Sequence, residues 1–196
     1  GVVPVLSKAA GYDPVKNLTA VAKLTDSTLV LVTPADFAPS SLAELIAHAK
    51  ANPGKLNYAS AGVGNLTQLN AEIFKSKAGI DVVHVPYKGG ALAVTDMLGG
   101  RLTFLFANLT TAQPHIRSGK LRALGIGTEK RSIIMPELPT IAESGVPGYE
   151  ANNWNGVVVP RGTPKAAIDR LQREIVAILA LPDIREKLLA SAFEPI

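Results

Sequence analysis

Residues 56–68 read Leu56-Asn57-Tyr58-Ala59-Ser60-Ala61-Gly62-Val63-Gly64-Asn65-Leu66-Thr67-Gln68, and they decide the fold class. Leu56 to Ser60 is a short apolar run with the character of a buried strand. Ala61 to Asn65 is a turn of small residues, in which Gly62 and Gly64 let the backbone bend and approach a ligand. Asn65 then opens a helix that reaches about Lys77, with Gln68 at capping-box spacing. A strand handed to a helix in this way is half of a βαβ unit, and its turn lies on the carboxyl edge of the sheet.

The same beat recurs outward from this stretch. Upstream, strand Leu29 to Val32 precedes Ser41-Leu42-Ala43-Glu44, a capping box that starts a helix ending near Asn52-Pro53-Gly54. Downstream, strand Val82 to Val85 leads through Pro86-Tyr87-Lys88-Gly89-Gly90 into a helix to Leu98. Strand Leu102 to Phe106 leads through Ala107-Asn108-Leu109-Thr110-Thr111 into a short helix to Arg117, and strand Leu121 to Ile126 follows. The pattern predicts an α/β fold with a mostly parallel sheet. Residues 127–150, with Pro136, Pro139 and Pro147, read as a long loop holding one short helix near Ile141 to Ser144. Strand Val157 to Val159 precedes a helix with Thr163 as N-cap and Pro164 at its first position, running to about Ala180, and a last helix spans Pro182 to Ser191. Polar crossings at Thr25-Asp26-Ser27 and Ala151-Asn152-Asn153 divide the chain into a lobe of residues 28–150 and a second assembled from residues 1–27 and 151–196. No first strand is recognisable and the chain stops as a segment begins, so truncation at both ends is expected.

Composition narrows the function. The chain has 196 residues, 47% of them hydrophobic and 18% charged, which describes a globular protein with a sizeable core. Cysteine is absent, excluding disulfides, thiolate metal sites and a thiol nucleophile. No apolar run approaches the roughly 20 residues that cross a bilayer, and no signal peptide is visible at Gly1-Val2-Val3-Pro4. The net charge of +4 favours anionic small molecules. The basic residues Arg117, Lys120, Arg122, Lys130 and Arg131 have no interleaved aromatics, which argues against nucleic acid.

No cofactor motif survives scrutiny. Gly62-x-Gly64-x-x-Thr67 lacks the third glycine of a dinucleotide fingerprint, and Asp81 precedes its strand where a ribose-binding acid follows one. There is no P-loop, no nucleophile elbow, and no metal-ligand spacing among His48, His84 and His115. What remains is three polar turns on one sheet edge. The helix N-terminus after Ala61-Asn65 directs amides at an anion, Tyr87 and Lys88 offer a phenolic donor and a cation, and Asn108 offers an amide.

Seven ordered motifs now carry a resemblance. They are Tyr12-Asp13-Pro14-Val15-Lys16, Pro53-Gly54-Lys55-Leu56-Asn57-Tyr58, Ser60-Ala61-Gly62, His84-Val85-Pro86-Tyr87-Lys88-Gly89 and Asp96-Met97-Leu98-Gly99-Gly100, with residues 114–124 and 139–148. The chain resembles the substrate-binding receptors of tripartite tricarboxylate transporters, the Bug-type periplasmic proteins. The resemblance implies a type II periplasmic-binding-protein architecture, two α/β lobes around a ligand cleft, with the first lobe incomplete here. It implies a periplasmic receptor without catalysis or cofactor, whose partners are a small carboxylate and the membrane subunits of the transporter. Carried over, the ligand contacts are Ser60, Ala61, Gly62, Val63, Gly64, Asn65, Tyr87, Lys88, Gly89 and Asn108. Ala107 stands where the family often has Asp, which points to a ligand without an amino group, and Gln68 stands where a His is common.

Two other classes compete. A small α/β hydrolase or transferase using the Ser60 turn needs a nucleophile, a base and an orienting group in mutual reach, and Ser60 with His84 is the only candidate pair, unsupported by their spacing. A ligand-sensing domain of the same fold needs an attached signalling segment.

Overall fold

The computed structural model describes residues 11–151 and 153–196. It divides into two compact units, one from Thr28 to Asn152 and the other made of the segment ending at Ser27 together with Asn153–Ile196.

The Thr28–Asn152 unit contains β2 (Leu29–Pro34), α2 (Leu42–Ala51), β3 (Asn57–Ser60), α3 (Leu66–Ala78), β4 (Val83–Pro86), α4 (Gly90–Leu98), β5 (Phe104–Asn108), α5 (Leu109–Arg117) and β6 (Leu121–Ile126). The five-stranded sheet has the order β4-β3-β5-β2-β6. β3 pairs in parallel with β4 and β5, whereas β2 is antiparallel to both β5 and β6. One reversed strand therefore lies in a sheet whose other strands share a direction, and β3, β4, β5 and β6 all end on one edge, where β2 begins.

Burial explains the sheet's composition. β2 is enclosed along its whole length, so Leu29-Val30-Leu31-Val32 is continuously apolar, as a strand covered on both faces must be. One face packs against Leu45, Phe74 and Tyr149. Phe74 meets the rings of Phe104, Phe106 and Tyr149 edge-on at 5.9, 6.0 and 6.3 Å, and Phe106 stacks on Tyr149 at 6.1 Å. Tyr149 comes from the long loop, and its buried hydroxyl donates to the Asn70 carbonyl at 3.1 Å.

That loop holds a turn at Ile141–Ser144 where a short helix was expected. It carries a complete capping box, in which Thr140 Oγ1 accepts from the Glu143 amide and Glu143 Oε2 from the Thr140 amide. The chain is held against β6 by Ile141 N–H to the Ile126 carbonyl at 2.9 Å and needs no further helix. At the two expected boxes, by contrast, only half the pattern forms. Ser41 and Asn65 cap their helices, but Glu44 reaches back to Ser40 and Gln68 to Gly64, one residue beyond the cap itself.

The other unit has α1 (Pro14–Asn17), β1 (Leu18–Ser27), β7 (Trp154–Pro160), α6 (Lys165–Leu179), α7 (Pro182–Ala190) and β8 (Phe193–Pro195). Its strands are ordered β7-β1-β8, both pairings antiparallel. β1 is absent from the sequence-based assignment, and the chain's last segment pairs with it as β8. Thr163 does not cap α6. Its hydroxyl donates to the Pro160 carbonyl at 2.8 Å, which closes the turn before the helix, and Pro164 takes the cap position.

Candidate functional site

The shared carboxyl edge brings the three polar turns together. Ser60 ends β3, Pro86 ends β4 beside it, and Asn108 ends β5 opposite Leu29, the first residue of β2. The chain also leaves the unit at this edge. The Thr28 carbonyl accepts from Leu109 N–H, and the Leu29 carbonyl from Gly127 N–H, both at 3.0 Å.

The first turn is tied internally. Ala61 N–H donates to Thr67 Oγ1 at 2.8 Å, Gly62 N–H to Ser60 Oγ at 3.2 Å, Gly64 N–H to Gln68 Oε1 at 2.7 Å and Thr67 N–H to Asn65 Oδ1 at 3.0 Å. Three of these amides belong to the turn before the Asn65 cap, and Thr67 is the one helix N-terminal amide among them that a side chain of the turn occupies. Gly62 has φ +135°, and a Cβ there would lie 3.4 Å from the Tyr87 carbonyl, so glycine lets the first and second turns touch. The Tyr87 amide adds a bond to the Ser60 carbonyl at 3.0 Å. Val63 stands 78% exposed at the tip, while Ser60 is fully buried and acts on the turn from behind.

Ser60 and His84 do meet: His84 Nε2 lies 2.7 Å from Ser60 Oγ. Their separation in sequence concealed this because the parallel β3–β4 register sets Tyr58 beside His84, with the rings stacked at 4.8 Å. The contact is not a nucleophile–base pair. Gly64 N–H can only donate, so it fixes which end of the Gln68 amide is oxygen, and the Gln68 NH2 therefore faces His84 Nδ1 at 3.3 Å. Nδ1 is then the acceptor and Nε2 carries the proton, which it donates to Ser60. A base would need the opposite tautomer and an orienting carboxylate at Nδ1.

Behind this relay, the Tyr58 hydroxyl donates to Glu72 Oε1, which also receives Lys75 Nζ at 3.2 Å. Burial pushes the His84 imidazole below its usual range, with the Glu72 carboxylate opposing and the Lys75 ammonium assisting. Burial also raises the Tyr58 phenol, reinforced by Glu72.

The second turn offers less than its residue types suggest. Tyr87 donates its hydroxyl to Asp96 Oδ2 at 2.7 Å, and Arg101 pairs with the other oxygen of that carboxylate at 2.9 Å. The hydrogen bond to Asp96 raises the Tyr87 phenol and keeps it a donor within its own unit. Gly89 caps α4 at φ 127°, a conformation closed to other residues. Lys88 is exposed, and among the described residues no hydrogen bond or ion pair engages it. Asn108 is exposed at the N-cap of α5 with no side-chain capping bond. Lys88 and Asn108 are thus the side chains of the predicted set left available.

A cavity of about 450 Å³ lies at the opposite edge, lined by Pro34, Ala35, Asp36, Met97, Gly100 and Lys120, and no candidate residue borders it. Among the described residues no group of His, Asp or Glu could hold a metal ion, and no helix is long and apolar enough to cross a membrane.

The fold is that of the periplasmic solute-binding receptors, and comparison with known proteins identifies the branch. The chain belongs to the tripartite tricarboxylate transporter family receptors, whose family model matches residues 1–196. It is 40% identical over 178 residues to a UPF0065 protein from the tcbD-tcbE intergenic region of Pseudomonas sp. strain P51, covering 90% of this chain and 53% of that one. It is 37% identical over 185 residues to protein BugT of Bordetella pertussis, covering 94% and 57%. Among solved structures, an R. palustris protein with adipate matches at TM-score 0.86 and 34% identity, covering 96% of this chain and 63% of that one. MatC of Rhodopseudomonas palustris with bound malate matches at 0.84 and 28%, covering 99% and 66%. The periplasmic binding protein BugD matches at 0.84 and 32%, covering 100% and 65%. The chain thus spans about half the length of these curated relatives and about two thirds of these solved structures. The family and fold are those of solute-binding receptors, not of enzymes.

Proposed function

We propose that this chain is the ligand-binding part of a periplasmic receptor that takes up a small carboxylate and delivers it to the membrane subunits of a tripartite tricarboxylate transporter. The observation that carries the reading is the convergence of Ala61–Asn65, Tyr87–Gly89 and Asn108 on one carboxyl edge, with an uncommitted ammonium at Lys88 and an uncommitted amide at Asn108. An ammonium and an amide on a rigid small-residue edge suit a carboxylate, and the relatives solved with adipate and malate support that ligand class. The two units are read as the two lobes of such a receptor, residues 1–27 and 151–196 in one and 28–150 in the other.

Within this reading the ten predicted residues divide by role. Val63, Lys88 and Asn108 face outward as contacts, and Ala61, Gly62, Gly64, Asn65 and Gly89 shape the backbone. Ser60 and Tyr87 hold the turns in place. Ala107 is buried on β5 and puts no carboxylate on the edge to receive an ammonium, so the ligand is a di- or tricarboxylate or an aromatic acid without an amino group. Isothermal calorimetry of the full-length protein against adipate, malate, benzoate and aspartate tests this. Binding of one of the first three at about micromolar Kd, some 8 kcal/mol, supports the reading. Tighter binding of aspartate overturns the absence of an amino group, and binding of a sugar or nucleotide instead of any carboxylate overturns the carboxylate assignment.

A further inference from the structure

We propose that His84 is the positioning residue of the Ser60–Asn65 turn, and that a second proton on its ring reverses the Gln68 amide and releases the Gly64 N–H toward an anion. The functional half of this inference rests on the carboxylate-receptor reading, and the positioning half does not.

The geometry is a chain of directed bonds, joined at Gln68 by a hydrogen bond with the Tyr58 hydroxyl. Gly64 N–H meets Gln68 Oε1 at 2.7 Å, the Gln68 NH2 meets His84 Nδ1 at 3.3 Å, and His84 Nε2 meets Ser60 Oγ at 2.7 Å. Each donor faces an acceptor only while Nδ1 is bare. A proton arriving there from solvent sets donor against donor across the Gln68 contact. Rotation of the amide by half a turn restores an acceptor to His84, and it then sets the Gln68 NH2 against Gly64 N–H, so the conflict moves to the turn. The Gly64 amide is freed at the moment a positive charge is created behind it.

Loosening of the turn would work against binding, but the other bonds decide the balance. Ala61, Gly62, Asn65 and Thr67 keep their amide bonds to Thr67 Oγ1, Ser60 Oγ, the Gly62 carbonyl and Asn65 Oδ1, none of which involves the ring's Nδ1 side. The turn therefore holds its shape, and the freed donor and added charge both favour a carboxylate. One turn of α3 carries the charged groups that face the ring, Glu72 and Lys75, and β3 contributes the stacked Tyr58. Burial and Lys75 disfavour the charged ring and Glu72 favours it, which holds the switch below the usual histidine range.

The test begins with nuclear magnetic resonance of the full-length protein without ligand. Two-bond proton–nitrogen correlation is expected to show His84 as the Nε2–H tautomer near neutral pH, and the Gly64 amide signal is expected to titrate with the His84 midpoint. Either an Nδ1–H tautomer or a Gly64 signal that stays still through that midpoint overturns the proposal. In His84→Gln the Gly64 signal no longer titrates. In Gln68→Glu a carboxylate accepts from both neighbours, so the His84 midpoint rises and the Gly64 signal again stays still. Calorimetry with adipate then reads the ratio of wild-type to His84→Gln affinity, in which the ligand's own protonation cancels. It is expected to rise several-fold between about pH 7.5 and 5.5, by at most about tenfold for each unit by which the ligand raises the ring's pKa. A flat ratio with adipate bound refutes the coupling and leaves the receptor reading standing. No carboxylate binding at any pH refutes the receptor reading, and the ligand-free titration still decides the positioning role.

Discussion

Replacing Ser60 with alanine removes the hydroxyl on which the first turn depends, and the structure sets the size of the effect. Ser60 is fully buried, and its oxygen accepts from His84 Nε2–H at 2.7 Å and from Gly62 N–H at 3.2 Å. Alanine leaves both donors, which belong to half-buried residues, without a protein partner. An unpaired buried donor costs about 1–3 kcal/mol, and half-burial puts this pair at the low end, so the loss is about 1–2 kcal/mol. A unit of about 125 residues unfolds with an entropy near 0.26 kcal/mol per degree, which makes the shift about 4–8 °C in Tm. The single tryptophan, Trp154, lies in the other unit, so its fluorescence is the wrong probe. Amide exchange of the Ala59 and Leu105 ladder, between β3 and β5, reports the correct unit directly, and its protection is expected to fall about 5- to 30-fold. Ser118→Ala, which loses one exposed bond to the His115 carbonyl, serves as control and costs less than about 0.5 kcal/mol. If Ser60→Ala costs no more than the control, the hydroxyl does not organise the turn and the relay argument fails with it.

Three further outcomes follow from other parts of the unit. Arg122 donates to the carbonyls of Ala35 at 2.6 Å, Phe37 at 3.0 Å and Pro39 at 3.1 Å, so Arg122→Met should lower the urea midpoint by about 2–3 kcal/mol equivalent, while Arg122→Lys recovers only part because an ammonium cannot span three carbonyls. Gly62→Ala meets both a positive φ and the Tyr87 carbonyl and should cost about 1–3 kcal/mol, with weakened carboxylate binding by calorimetry; Gly119→Ala, at φ +71° with open space around it, should cost about 1 kcal/mol and leave binding unchanged. The Glu143 carboxyl is held below its ordinary 4.5 by hydrogen bonds from the Thr140 amide and Arg131. Its contribution is therefore present above pH 4.5 and is lost as the pH falls through the folded value, so Glu143→Gln should flatten that part of the urea-midpoint profile and leave the profile from pH 5 to 7 parallel to wild type.

Most of the Thr28–Asn152 unit is legible in sequence because four of its five strands, all but β6, lead through a turn into a helix, signals that are local and physically distinct. β1 is not. Its buried residues Val21, Thr25 and Ser27 include two polar side chains, and register shifts after Ala20 and Lys23 break the alternation a reader would look for. The long reach of Glu44 and Gln68 past their caps is a matter of one residue of side-chain length, which spacing rules do not resolve. The contact of Ser60 with His84 depends on the register of two parallel strands separated by a whole helix, and nothing local specifies it. The edge itself was readable. The division of labour along it, with Ser60 buried and Tyr87 spent on Asp96, was not.

That division bears on how such an edge discriminates. A helix N-terminus with all its donors open would hold any anion of suitable size, since backbone amides carry no chemical preference among oxygens. Here the amides of Ala61, Gly62, Gly64 and Thr67 are satisfied within the turn, and under the proposed receptor reading the charge for a carboxylate comes from Lys88, the directed amide from Asn108, and the apolar contact from Val63. These lie on three different turns, each fixed by its own bonds, and a ligand gains from all of them only when its length and polarity match their separation. Rigid turns cost little ordering entropy on binding but cannot adapt to a poor fit. Changing Lys88 should therefore weaken all carboxylates together, whereas changing Asn108 or Val63 should reorder them, and a set of such variants whose losses are uniform across ligands would show that charge alone does the selecting.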